Sequence, residues 1–202
     1  MKLYFSPGAC SLSPHIALQE AGLPHTLVRA DLQKKTVDGG ASLVAVNAKG
    51  QVPVLELDDG QRLTEGPAIV QYIADKVPAK NLAPANGTME RYRLQEWLNF
   101  ITSELHKSFT PLFDAAMPEE AKNRYKERVR ARLDYLAQQL EGRSFLLGSN
   151  FSVADGYLFT VLGWTKYVGI DLAKWPTLVA YTERVGSRPA VQAALKAEGL
   201  VK

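Results

Sequence analysis

Leu3-Tyr4-Phe5-Ser6-Pro7-Gly8-Ala9-Cys10-Ser11-Leu12-Ser13-Pro14-His15 is the stretch from which the fold of this chain is read. A short apolar run leads into a Pro-Gly turn, and Cys10 follows it directly. An amphipathic segment comes next, with Pro14 where the first turn of a helix tolerates it. The pattern predicts a strand handing over to a helix, with the only cysteine of the chain at the junction. Backbone N–H groups at a helix start lack partners and carry partial positive charge, so a thiolate is favoured there. A thiol so placed ionises more readily than its free reference of about 8.5. The alternative is a small buried hydrophobe, the common role of a lone cysteine. On this segment alone both readings stand.

Outward from that junction, the first 80 residues read as mixed α/β. The helix after Cys10 runs to Gly22, a suitable C′ residue. Thr26-Leu27-Val28-Arg29-Ala30 is a second strand candidate. Val52–Leu57 and Gln61–Thr64 flank Asp58-Asp59-Gly60 and predict a hairpin. Glu65-Gly66-Pro67 opens another helix, with Ile69, Tyr72 and Ile73 on its apolar stripe. The order is βαβ followed by ββα. Residues 77–88 (VPAKNLAPANGT) have the composition of a connection. Beyond them the apolar period is helical: Leu94, Leu98, Ile101 and Leu105 form one stripe, and Tyr125, Val129, Leu133, Leu136 and Leu140 another. The fold class is therefore α/β plus all-α. The expected divisions are a domain over 1–80, a linker over 81–87 and an all-helical domain over 88–202.

Bulk composition narrows the function. At 46% hydrophobic and 22% charged, 202 residues can bury a sizeable core. A net charge of +3 is too mild to argue for nucleic acid. Lys122, Arg124, Lys126, Arg128, Arg130 and Arg132 alternate along one segment and read as a solvated helix surface. No P-loop, GxGxxG or HExxH occurs, and one cysteine supplies neither a disulfide nor a zinc site, so no metal is expected. The apolar start ends at Ser6-Pro7-Gly8, before a signal-peptide core could form. No stretch nears the roughly 18 apolar residues of a membrane span. The expectation is a soluble cytoplasmic protein.

Two further pieces join Cys10. Pro53 stands at the entry to a strand and withholds an N–H from the sheet. A cis bond there would turn the backbone of Val52 outward, ready to pair with an extended peptide. An ordinary trans edge proline is the competing reading. At Thr64-Glu65-Gly66-Pro67, a helix start offers N–H groups to a carboxylate and Glu65 offers an acceptor to an ammonium. A glutamate that merely complements the helix dipole would look the same. Ser152-Val153-Ala154-Asp155 reads as a capping box, and Gly156 rules out the usual staple with Phe151. His15 reads as packing or surface, and His25 as solvated.

A ligand with a thiol, a peptide backbone and an α-amino-acid end satisfies all three pieces, and glutathione is such a ligand. The chain resembles the bacterial beta-class glutathione S-transferases, most closely those of biphenyl-degrading bacteria. The stretches that carry the resemblance are residues 6–12 (SPGACSL), 47–53 (NAKGQVP), 63–69 (LTEGPAI), 97–100 (WLNF), 104–107 (ELHK), 152–155 (SVAD) and 197–200 (AEGL). The resemblance implies a thioredoxin-like N-terminal domain and an all-helical C-terminal domain in a homodimer. It implies Cys10 beside the glutathione sulfur, as hydrogen-bond partner or mixed-disulfide former. Val52 with cis Pro53 would bind the cysteinyl backbone, Glu65 and Gly66 the γ-glutamyl end, and Lys35 the glycyl carboxylate. His106 and Lys107 would approach the sulfur, assisted by Asn99 and by Glu104, the latter across the dimer interface. Phe109, Phe113 and Trp164 are the candidates for an apolar second-substrate cleft.

Two departures are visible. Relatives place Tyr after Phe near the end of the first strand, whereas Tyr4-Phe5 here sends the hydroxyl to the other sheet face. Gly66 stands where a serine donor is common, leaving the backbone to bind the γ-glutamyl carboxylate. The implied activity is conjugation of glutathione to small apolar electrophiles such as halogenated aromatics. A thiol-transferase, peroxidase or reductive dehalogenase working through a Cys10–glutathione disulfide is an alternative, and a non-catalytic binding scaffold is another.

Overall fold

The computed structural model describes residues 1–201. Its elements fall into two compact units, 1–83 together with 188–202, and 84–187. In the first unit, β1 (Lys2–Phe5), β2 (Thr26–Asp31), β3 (Thr36–Val37), β4 (Val54–Glu56) and β5 (Arg62–Thr64) form one sheet in the order β3-β2-β1-β4-β5. β1 runs parallel to β2 and antiparallel to β4, with Leu3 opposite both Leu27 and Leu55. The parallel pair needs a crossover, which α1 (Leu12–Ala21) supplies. Helix α1 ends at Gly22 in the left-handed conformation (φ 68°), a stop that glycine adopts without penalty. The Asp-Asp-Gly turn closes the β4–β5 hairpin, with Leu57 N–H donating to the Gln61 carbonyl at 2.8 Å.

The pleat decides what each β1 side chain does. Tyr4 packs with Ala30, Val37, Leu43, Val52 and Val54, where Leu43 begins the short α2 (Leu43–Val46). Phe5 points the other way, its ring 6.4 Å from that of His15 in α1. The Tyr4 hydroxyl therefore ends on Glu56, at 3.1 Å. Helix α3 (Gly66–Asp75) buries Ile69, Val70, Ile73 and Ala74.

Residues 188–202 belong to this first unit, although the helical pattern of the sequence groups them with the rest of the C-terminal part. The last helix, α9 (Pro189–Ala197), packs on α1. Arg188, just before it, donates to both carboxylate oxygens of Glu20 at 2.6 and 2.9 Å.

The second unit is helical. Thr88 caps α4 (Met89–Phe100) by accepting from the Arg91 N–H. A π-helical turn over Ile101–His106 then leads into the short α5 (Lys107–Phe109). Helices α6 (Glu119–Gln139), α7 (Val153–Leu162) and α8 (Pro176–Gly186) complete the unit. The expected stripe appears on α6, where Val129, Leu133 and Leu136 are buried. Asp155 closes the start of α7 by accepting from the Ser152 N–H at 2.8 Å. It also takes the Leu146 N–H at 2.8 Å and the Tyr181 hydroxyl at 2.9 Å. Phe151 packs edge-on against Phe145 instead of stapling to Gly156.

Candidate functional site

Cys10 lies in the turn ahead of α1, two residues before its first helical residue, and is partly exposed. Its Sγ donates to the carbonyl oxygen of Val52 at 3.4 Å. The Val52–Pro53 bond is cis, one of the two alternatives the sequence leaves open. Two stretches about 40 residues apart thus meet at the sulfur. The carbonyl that the sequence reading reserves for a ligand is engaged here by the thiol itself. Both Val52 and Pro53 are buried.

Glu65 stands at the N-terminal boundary of α3, in the left-handed region at φ 69°. A non-glycine residue there is uncommon, and such conformations persist where surrounding structure enforces them. Its carboxylate is ion-paired with Lys49, whose Nζ also donates to the Thr64 hydroxyl at 2.9 Å. Gly66 follows, with open space where a side chain would stand. Lys35, also at positive φ (56°), is exposed and donates to the Gly50 carbonyl at 3.0 Å. Lys49 lies inside the quoted 47–53 stretch but is not singled out by the sequence reading. A cation three residues ahead of Val52-Pro53 is the signal that would have flagged it. A separate hollow of about 450 Å³, lined by Ser6, Arg29, Asp31, Gln33 and Asp38 among others, includes none of the expected site residues.

In the helical unit, the π-helical turn sets the second group of candidates. Lys107 N–H reaches back to the Thr102 carbonyl, five residues earlier. Such insertions recur at functional positions because they re-aim side chains. His106 Nδ1 meets the Tyr157 hydroxyl at 2.7 Å, and its ring lies edge-on to Trp164 with centroids 4.8 Å apart. Phe109 and Phe113 also meet Trp164 edge-on, at 5.8 and 6.1 Å. Phe109 is sealed in this packing, whereas Phe113 is 51% exposed. Trp164 therefore joins the apolar candidates to His106. Tyr157 escaped the sequence reading because it sits in an apolar run, Tyr157-Leu158-Phe159. A buried tyrosine hydroxyl requires a partner, and that requirement was the available clue.

Glu104 accepts from Arg132 Nη2 at 2.6 Å and Nε at 3.0 Å, with Arg128 Nη2 at 3.4 Å. The Arg132 hydrogen bond leads in holding its carboxyl below the ordinary range. Two members of the alternating basic row thus meet Glu104, while Lys122, Arg124 and Arg130 pair with Glu119, Glu120 and Glu127 on their own helix. Asn99 and Lys107 are exposed. His25, expected in solvent, is half-buried: its Nδ1 faces the Leu23 carbonyl at 2.8 Å and its ring lies edge-on to His15. Burial lowers its pKa.

Two family models match, the glutathione S-transferase N-terminal domain over residues 8–76 and the C-terminal domain over 100–189. Glutathione S-transferase GstA of Escherichia coli O157:H7 is 48% identical over 99% of this chain and 100% of its own length. The chain belongs to the bacterial beta-class glutathione S-transferases. Among solved structures, a ternary complex of the bacterial transferase BphK is 62% identical, with a TM-score of 0.97 over 98% of this chain and 100% of that one. A sphingomonad glutathione S-transferase complexed with glutathione is 52% identical, with a TM-score of 0.96 over the full length of both. The chain is therefore a glutathione transferase enzyme. Its mixed sheet followed by helices is the family fold that the sequence reading anticipated. No group of metal-ligating side chains is found among the described residues, and no helix among them is long and apolar enough to cross a membrane.

Proposed function

We propose that the enzyme conjugates glutathione, through its sulfur, to small apolar electrophiles, halogenated aromatics among them, in the cytoplasm. The observation that carries the reading is the meeting of Cys10 Sγ with the Val52 carbonyl in the unit that also holds Glu65. A tripeptide whose backbone pairs with Val52 brings its own sulfur to Cys10. Glu65 accepts from the γ-glutamyl ammonium, displacing Lys49, and the Gly66 backbone takes the adjacent carboxylate. Lys35, on its flexible stem, leaves the Gly50 carbonyl for the glycyl carboxylate. Within the helical unit, Asn99, Lys107, His106 and Glu104 remain the candidates, with Glu104 steadied by Arg132.

In the reaction, the glutathione thiol loses its proton to solvent. The thiolate is favoured by the Cys10 hydrogen bond. It attacks the carbon bearing the halogen, the C–S bond forms, and halide departs with the bonding pair. Phe113, exposed and packed on the buried Trp164, gives the apolar surface for the aromatic ring. Met89 (65% exposed) and Tyr92 (56% exposed), one turn apart on α4, suit a second copy, so a homodimer is part of the proposal. The test is turnover of the purified protein with glutathione and a chloronitrobenzene. Equal amounts of chloride and thioether support the substrate class. Glutathione binding without turnover of any halogenated aromatic overturns it.

A redox reading has its own support. The E. coli K12 protein named disulfide-bond oxidoreductase YfcG is 31% identical over 97% of this chain. Here the Cys10 thiolate attacks the glutathione sulfur of a disulfide between glutathione and a substrate thiol, forming a Cys10–glutathione disulfide and releasing the substrate thiolate. A free glutathione thiolate then attacks that disulfide, restoring the Cys10 thiolate and leaving as oxidised glutathione. A mass gain at Cys10 after treatment with oxidised glutathione supports this reading, and an unmodified Cys10 removes it.

A further inference from the structure

The 197–200 stretch that helped mark the family has no part in the chemistry above, yet its side chains reach the cysteine turn. Helix α9 ends in a Schellman motif. Leu200 N–H donates to the Leu195 carbonyl at 2.9 Å, and Gly199 N–H to the Lys196 carbonyl at 3.0 Å, with Gly199 at φ 72°. That ending places Glu198 at the C-cap, with its side chain fully buried. Two terms disfavour a carboxylate at such a spot. The helix dipole is negative at that end, and burial removes hydration. A cap alone would be better served by asparagine or lysine.

What offsets the cost is a pair of specific partners. Glu198 Oε2 accepts from the Gly8 N–H at 2.9 Å, and Oε1 meets His15 Nδ1 at 2.9 Å. Gly8 is in the left-handed conformation (φ 71°), and a Cβ placed there would touch Leu200 Cδ2 at 3.5 Å. The tail therefore covers the Pro-Gly turn and holds its backbone. Within the turn, Ala9 N–H donates to the Ser6 carbonyl at 3.0 Å, and Ser6 N–H donates to Ser11 Oγ at 3.1 Å. Cys10 is carried between these ties, with its sulfur on Val52.

We propose that Glu198 is a positioning residue for Cys10. It pins the Pro7-Gly8 turn from 190 residues away in sequence and so fixes the thiol against the strand entry that receives glutathione. The consequence for glutathione rests on the reading under Proposed function, whereas the consequence for the thiol does not.

The test compares E198A, E198Q and E198D in the full-length enzyme. The pH profile of Cys10 alkylation by iodoacetamide is measured without glutathione, and the glutathione KM separately. E198A is expected to move the alkylation midpoint by about half a unit or more and to raise the KM about fivefold, from loss of a buried hydrogen bond. E198Q keeps an acceptor for Gly8, and its amide N–H meets His15 Nδ1 once the imidazole carries its proton on Nε2, so the tie to the turn is retained and both readings stay within about twofold of the parent. Should E198A fail to fold, E198D keeps the charge but withdraws it from Gly8 by one methylene, and the same midpoint shift is expected. A parent-like alkylation profile in E198A or E198D overturns the proposal, as does E198Q behaving like E198A. A shifted profile with unchanged KM retains the tether and counts against the glutathione placement instead.

Discussion

Glu65 and Asp155 are both carboxylates at the start of a helix, one in each compact unit, and their surroundings are opposite. The Glu65 side chain is 66% exposed and is paired with Lys49, itself 46% exposed. Asp155 is fully buried and accepts from the Leu146 and Ser152 N–H groups and from the Ser152 and Tyr181 hydroxyls. Burial still pushes its pKa up, and the same burial raises that of Tyr181 well above the usual phenol range. An exposed carboxylate with one long, flexible partner can exchange that partner for a ligand at little cost. A sealed carboxylate with several fixed donors cannot, and its contribution goes to the fold. Position at a helix start is thus no guide to role; the number and rigidity of partners is.

Substitutions separate the two roles. Asp155→Ala has the largest expected effect. It strips the acceptor from several buried donors and costs about 3 kcal/mol. The thermal midpoint, read by circular dichroism, falls by about 6–12 °C, with the glutathione KM of the folded fraction unchanged. A KM that rises with the loss of stability would break the separation. Glu65→Gln is expected to do the reverse. Losing a charge-assisted contact raises the glutathione KM about tenfold, while the thermal midpoint stays within about 1 °C.

A third carboxylate refines the contrast. Glu56, hydrogen-bonded first by Lys2 and then by Arg62, has its pKa lowered from 4.5 to about 2. The unfolded chain therefore binds the proton more readily than the folded one. The stability that Glu56 contributes is in place above pH 4.5 and is lost as pH falls toward 2. Glu56→Gln should flatten the acid limb of a stability profile across that window. An unchanged acid limb would mean that the cluster of Glu56 with Lys2, Arg62 and Tyr4 contributes nothing. The smallest effect is expected for Lys49→Met. Removing an exposed partner changes the glutathione KM by at most about twofold and leaves the thermal midpoint in place. A tenfold change would make Lys49 part of the ligand site rather than a placeholder on Glu65.

Much of this was legible in the sequence because it rests on local rules. Pro-Gly before Cys10, Gly22 after α1, Asp-Asp-Gly between β4 and β5, and the Ser152–Asp155 box each punctuate an element through backbone chemistry that a linear reading captures. The swap of Tyr4 and Phe5 was equally readable, since the pleat alone sends the hydroxyl to Glu56. What was not legible depends on pairs brought together by the fold. The tie from Glu198 to Gly8 spans 190 residues, and no periodicity announces it. Tyr157 looked like one apolar residue in a run until its hydroxyl met His106. Arg128 and Arg132 looked solvated because their row alternates, although the π-helical turn delivers Glu104 to them. The membership of residues 188–202 in the first unit follows from α9 packing on α1, and a helical period does not say which neighbour a helix covers.

A crystal structure of the enzyme with glutathione is the most direct test that the tripeptide lies along Val52 with its sulfur at Cys10. The expected result is a glutathione sulfur within about 4 Å of Cys10 Sγ, the distance of a sulfur hydrogen bond or close contact, with the γ-glutamyl ammonium on Glu65 and Lys49 displaced. Glutathione bound elsewhere, with Lys49 still on Glu65 and Cys10 still on the Val52 carbonyl, would contradict it.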